Sequence, residues 1–194
     1  IAKSATGNVR VEAGTDVTLG SVQTGADASV VAGGSIVDGG DVAIDVSSQA
    51  LRLRAATAIG TAMDAVETTV TTLSGWAGNG GIYLLETDGV SVTDTSLSVN
   101  RVLTDATTST ADVSDAVQSD LTTAAGDGSI VLQSTAGDIT LNDGTGDGML
   151  GTLGNAVTAH GAGNVLVRAI AGSITTTVAS DVRSTDGNIT VLAA

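Results

Sequence analysis

One short phrase keeps returning along this chain: a glycine, a small polar residue, then an apolar/any/apolar triplet. Toward the C-terminus it reads Gly128-Ser129-Ile130-Val131-Leu132, Gly137-Asp138-Ile139-Thr140-Leu141, Gly163-Asn164-Val165-Leu166-Val167, Gly172-Ser173-Ile174-Thr175-Thr176 and Gly187-Asn188-Ile189-Thr190-Val191. The triplet is the alternation of a short strand that buries every second side chain, and the glycine predicts a sharp turn before it. Gly137 to Gly163 is an offset of 26 residues and Gly163 to Gly187 one of 24. A period of that size predicts a solenoid, whose coils bury their faces only by stacking on one another.

Residues 1–55 carry the same pattern in weaker form. Gly7-Asn8-Val9-Arg10-Val11, Thr15-Asp16-Val17-Thr18-Leu19, Ser29-Val30-Val31, Gly34-Ser35-Ile36-Val37, Gly40-Asp41-Val42-Ala43-Ile44 and Leu51-Arg52-Leu53-Arg54 each read as a strand. Gly7 and Gly34 are 27 residues apart, and neighbouring strands begin about 8–9 residues apart, so each coil holds about three short strands. The predicted class is all-β: a right-handed parallel β-helix, because crossovers between parallel strands are right-handed. Residues 1–194 read as one β-solenoid segment of a longer protein, with irregular excursions near 56–81 and 100–127.

In the first excursion, Ile59, Met63, Val66, Val70 and Leu73 recur at helical spacing, while Thr68, Thr69, Thr71 and Thr72 favour a strand. Strand and turn is the preferred reading and a short helix the alternative. A glycine-rich loop, 75–81, then leads into Ile82-Tyr83-Leu84 and Gly89-Val90-Ser91-Val92. In the second excursion, Val113, Ala116, Val117 and Leu121 share one helical face, with Asp112 as N-cap and Asp115 three residues on. A long loop carrying one strand fits the same residues.

Composition supports the coiled reading. There are 26 glycines and no proline, cysteine or phenylalanine, and the only large aromatics are Trp76 and Tyr83. The interior must therefore be filled by Val, Ile, Leu and Ala, and the absence of proline leaves every strand residue able to donate to a ladder. A net charge of −14 makes nucleic acid and anionic membranes poor partners. No apolar run approaches the ~20 residues that a bilayer-spanning helix needs, so membrane insertion is not expected.

The phrases Ala58-Ile59-Gly60-Thr61, Glu67-Thr68-Thr69-Val70-Thr71-Thr72-Leu73, Gly80-Gly81-Ile82-Tyr83 and the run from Ser129 through Gly144 to Val167 resemble the repeat regions of filamentous-haemagglutinin-like giant bacterial surface proteins. The resemblance implies a β-helical adhesin or stalk, exported to the cell surface or secreted, without catalytic residues. Its expected partners are a host, cell-surface or matrix ligand, protein or glycan. Neighbouring repeats of the same polypeptide, and end-to-end self-association of uncapped coils, complete the list.

Candidate chemistry is sparse. His160 lies in a turn-like setting without companions for a zinc site or a catalytic triad. Catalytic, cofactor and metal residues are therefore none, and the chain reads as not an enzyme. The alternative is a carbohydrate-active β-helix lyase or hydrolase, which requires a groove lined with Asp and Arg beside Trp76 or Tyr83. Asp138, Asn142, Asp143 and Asp147 around Gly144–Gly148 read as turn formers, with weak calcium binding as the alternative. Arg52 and Arg54 alternate with leucines and read as a solvated outer face. Asn8, Asn164 and Asn188 occupy one slot of the phrase, which predicts an amide ladder along the rod. Thr18, Thr140 and Thr190 point outward and raise an ice-binding solenoid as a lower alternative.

Overall fold

A computed structural model describes residues 1–145 and 154–194, and these form strands, turns and loops without a helix. The strands stack in three parallel ladders. One joins Val17–Leu19, Ile36–Asp38, Ile59, Ile82–Glu86, Ile130–Ser134, Val165–Ala169 and Ile189–Ala193. A second joins Val9–Ala13, Ala28–Ala32, the end of Val46–Ala55, the end of Val66–Ala77, Leu121–Thr123, Asn155–Ala159 and Asp181–Ser184. The third starts at Ala2–Ser4 and Val22–Thr24, crosses the first halves of the two long strands, and ends at Val90–Val92, Ile139–Leu141 and Ile174–Thr176. A long parallel sheet whose members recur one winding later is consistent with a β-solenoid.

In-register pairing places like side chains on one another. The column Val17, Ile36, Ile59, Ile82, Ile130, Val165, Ile189 is β-branched throughout. Its members from Ile36 to Ile130 are fully buried. Burying each of these side chains stabilises the fold by about 1.5–3 kcal/mol, and branched side chains suit a pleated surface. A second column runs Val11, Val30, Leu53, Gly75, Leu121, Val157, Val182. Gly75 interrupts it because a Cβ there would lie 2.9 Å from Leu121 Cδ2, so the leucine fills the space the glycine leaves.

The layers are not equally long. Val165 follows Ile130 by 35 residues, Ile189 follows Val165 by 24, and Ile130 follows Ile82 by 48. Only the offset from Gly163 to Gly187 therefore matches a layer. Gly137 and Gly163 begin strands of different ladders, as do Gly7 and Gly34. The 48-residue layer contains Thr95–Val102 and Thr108–Gln118, an antiparallel hairpin. The excursion predicted for 100–127 is thus neither a helix nor a one-strand loop. Its strands lie against the outer face of the second ladder.

Two further expectations meet the structure. Val66–Ala77 is one long strand, in line with the preferred strand-and-turn reading, but it takes in residues 75–77 of the predicted glycine-rich loop. The phrase Val42-Ala43-Ile44 is a turn, with Val42 94% exposed, and the strand begins only at Val46. Asp41 Oδ1 accepts from Ala43 N at 2.7 Å, and this local Asx-type turn displaces the strand.

Candidate functional site

The turn that replaces this predicted strand lies beside an acidic corner. Asp38 ends its strand in an inward slot, where the alternation buries Ile36 and Asp38 and where Asp38 stacks on Leu19 of the preceding layer. Asp45 is buried just before Val46. The next layer meets it: Asp45 N donates to Glu67 O at 3.0 Å, and Glu67 N donates to Asp45 Oδ2 at 3.3 Å. One carboxylate oxygen from each of Asp38, Asp45 and Glu67 lies within 4.8 Å of the other two. Burial, then the charges of Asp38 and Glu67, push the Asp45 carboxyl up. Burial and Asp38 raise Glu67 in the same way. Asp64, on the neighbouring loop, is raised first by a hydrogen-bonding contact with Asp38. Every charge that shifts these three groups belongs to another carboxylate.

Glu86 is a second inward-facing acid, fully buried at the end of Ile82–Glu86. Its Oε1 accepts from Val70 N, Thr87 N and Asp88 N, while Thr68 Oγ1 lies 2.7 Å from Oε2. Burial outweighs these donors and pushes the carboxyl up to about 7. Asp120 is likewise buried and pushed up to about 6 by burial, against hydrogen bonds from Ser119 and Gly144. Asp120 also holds a left-handed φ of 68° where the chain re-enters the sheet after the hairpin.

The hairpin is the main departure from the ladders. Arg10 donates to both Asp115 oxygens at 2.9 Å, and Arg52 Nε donates to Ala116 O at 3.1 Å. Buried Gln118 anchors its base, donating to Leu53 O and Ser74 Oγ at 2.9 Å each. Burial raises Asp115, but its neighbours, the Arg10 guanidinium foremost, outweigh it and hold the carboxyl below its ordinary value. A cleft of about 460 Å³ remains between hairpin and shaft, lined by residues that include Asn8, Arg10, Glu12, Asn100 and Arg101. At the hairpin's free end Val102 and Leu103 are exposed.

The residues singled out from sequence scatter over this frame. Arg52 is buried under the hairpin rather than solvated, whereas Arg54 lies over Trp76, 4.8 Å from the ring centroid. His160 sits exposed in a turn, its Nδ1 2.6 Å from Gly126 O. Asp138 and Asn142 flank opposite ends of Ile139–Leu141, ~13 Å apart along an extended chain, so they do not converge. Asp138 accepts from Ser173 N and Asn142 donates to Ser91 Oγ. Asp147 lies outside the described residues. The depression beside Tyr83 is lined by neutral side chains, among them Ser129, Asn164, Leu166 and Thr190. Glycoside hydrolysis needs a pair of carboxylates across such a cleft.

The amide ladder is shorter than the repeated phrase implies, but it belongs to a wider device. Asn164 Oδ1 accepts from Asn188 N at 2.8 Å and Asn188 Nδ2 at 3.1 Å. Asn8 stands at the start of the second ladder, a different corner, where it accepts from Asp27 N. Asp16, Asp27, Asp127, Asp138 and Ser129 make the same side-chain-to-backbone bond to the following layer. Of the three threonines, Thr140 alone joins a hydroxyl row, Thr72, Ser91, Thr140, Thr175. Thr18 pairs with Val37 and Thr190 with Leu166.

The acidic corner was missed in the sequence because its members are separated by up to 29 residues. One local signal existed: in Ile36-Val37-Asp38, an acid occupies the slot where the pattern asks for an apolar residue. Compared with protein families, curated proteins and solved structures, the chain matches none.

Proposed function

We propose that this chain is a stretch of right-handed parallel β-helix from a large bacterial surface or secreted protein, of the filamentous-haemagglutinin-like kind that its repeat phrases resemble. It works as a stiff stalk or adhesion module and performs no reaction. The observation that carries this reading is the continuity of the three parallel ladders, whose layers are hydrogen-bonded to one another from residue 2 to residue 193. Stacking of that kind couples each layer to its neighbours alone and gives a stiff, extendable body. Right-handed winding is the form that parallel crossovers take. Recognition falls to the hairpin, since binding groups collect on excursions from a rigid scaffold. There the cleft pairs Arg10 and Arg101 with Asn8 and Asn100, polar groups suited to a glycan or an extended peptide.

The test is binding of the purified chain to a glycan and cell-surface array, alongside small-angle X-ray scattering. Specific binding that disappears when the hairpin end 100–107 is replaced by a short turn supports the adhesion module. Silence across the array assigns the chain a spacer role. A scattering profile of a compact sphere overturns both.

A further inference from the structure

We propose that Asp38, Asp45 and Glu67 form a calcium site that fastens the 38–45 turn to the following layer. Their three oxygens converge within 4.8 Å. Convergence of acids is common on surfaces, but two features separate this corner from a solvated cluster. Asp38 is 93% buried, 7% of it remaining exposed, and its Oδ1 has no hydrogen-bond donor. Glu67 Oε2 is also buried without a donor. An orphaned carboxylate oxygen in a buried slot costs free energy that a bound cation removes.

The surroundings leave that compensation to a ligand. Asp41 and Asp64 add further negative charge at the same corner, and the charges acting on Asp45, Asp64 and Glu67 are all carboxylates. The donor set is oxygen alone, which suits a hard cation rather than zinc or copper. Size then selects among hard cations. Oxygens on opposite sides of Ca²⁺ stand up to about 5 Å apart, given Ca–O distances of about 2.3–2.6 Å. Around Mg²⁺, at about 2.0–2.1 Å, the limit is about 4.2 Å. Oxygens within 4.8 Å of one another fit inside a calcium shell with little movement, and three carboxylates suit calcium better than magnesium, which keeps several waters and takes one or two carboxylates. Water completes the shell around the three carboxylates.

This site is distinct from the loop around Asp143, and its role is structural. Asp38 and Asp45 bracket one turn, while Glu67 begins the strand of the next layer. A cation among them ties the ends of the turn together and to the layer above.

The experiment is calorimetric titration of the metal-stripped, full 194-residue chain with calcium chloride, and with magnesium chloride in parallel. Melting temperatures are recorded with calcium, with chelator, and with sodium chloride at matched ionic strength. The expected result is one calcium per chain, at least tenfold preference over magnesium, and a melting temperature several degrees higher with calcium than with matched salt. Asp38→Asn and Glu67→Gln, each checked by circular dichroism, should weaken calcium at least tenfold, while Asp127→Asn leaves it unchanged. If Asp38→Asn does not fold, Glu67→Gln, at a half-buried position, carries the test alone. No heat with calcium, an equal response to magnesium or matched salt, or full binding by the Glu67→Gln chain would overturn the site.

Discussion

Gly163 has backbone torsions open to any residue, yet a side chain there would collide with the carbonyl oxygen of Gly128 one layer below. Gly128 stands in the same relation to Gly80, and Gly187 to Gly163. At Gly128, Gly163 and Gly187 the glycine is thus required by the close stacking of backbones, whereas Gly137, with a φ of 101°, also occupies the left-handed region. Gly163→Ala should lower stability by on the order of 3 kcal/mol, the upper end of overpacking penalties, as read by urea denaturation. A loss under about 0.5 kcal/mol would contradict the stacking account. Glu86 makes a pH-dependent prediction. Its carboxyl rises from an ordinary 4.5 to about 7 in the fold, so the native state holds a proton that the unfolded chain releases. Its stabilising effect is full below about pH 4.5 and is lost as pH rises through about 7. Glu86→Gln mimics the protonated form: Oε1 keeps the three backbone donors, and the amide donates to Thr68 Oγ1. Between pH 5 and 8 the parent chain should lose on the order of 5 °C more melting temperature than this variant. Parallel pH profiles for the two chains would rule out the assignment.

At the scale of elements, the hairpin Thr95–Val102 with Thr108–Gln118 is held to the shaft by a few polar contacts, chief among them the Arg10–Asp115 pair. Asp115→Ala should cost about 2 kcal/mol. Its effect should be local, with amide exchange speeding up in 95–118 while the ladders keep their protection. Uniform acceleration across the chain would show that hairpin and shaft unfold as one. Strands whose triplets alternate cleanly, such as Ile130–Ser134 and Val165–Ala169, were legible in the sequence because burial on one side is their whole requirement. The second and third ladders were only partly legible. Leu121–Thr123, Asn155–Ala159 and Asp181–Ser184 lack the glycine phrase and are held by the layers beneath them. The hairpin is hidden in the sequence because Val113, Ala116 and Val117 fit a helical spacing as well as a strand, and only pairing with Thr95–Val102 decides between them. Arg52 looks solvated in the sequence because its cover comes from Ala116, 64 residues away. The acidic corner is harder still, since proximity across layers leaves no mark in a linear pattern.

For the whole molecule, the two ends of the ladders matter most. Ala2–Ser4, Val9–Ala13 and Val17–Leu19 each have one ladder neighbour, as do Ile174–Thr176, Asp181–Ser184 and Ile189–Ala193. At the latter end Ile189, Val191 and Leu192 are between 44% and 49% exposed. Open parallel edges with apolar side chains favour pairing with another copy. The isolated chain should therefore show a rising mean mass by static light scattering as concentration increases. Because the net charge is −14, added salt should strengthen the association. A constant monomer mass at millimolar concentration and high salt would exclude it.

The excursion between Asp94 and Ser119 departs and returns at one point. Gly144 packs against both residues, and Thr145 N and Gly144 N donate to Asp94 and Asp120 from the layer above. The layer above closes over this junction, so the two ends of the excursion are held together independently of its tip. The base of the hairpin covers Arg52 and anchors Gln118, which leaves the tip, residues 100–107, as the port at which a different segment should be accepted with the ladders on either side still in register.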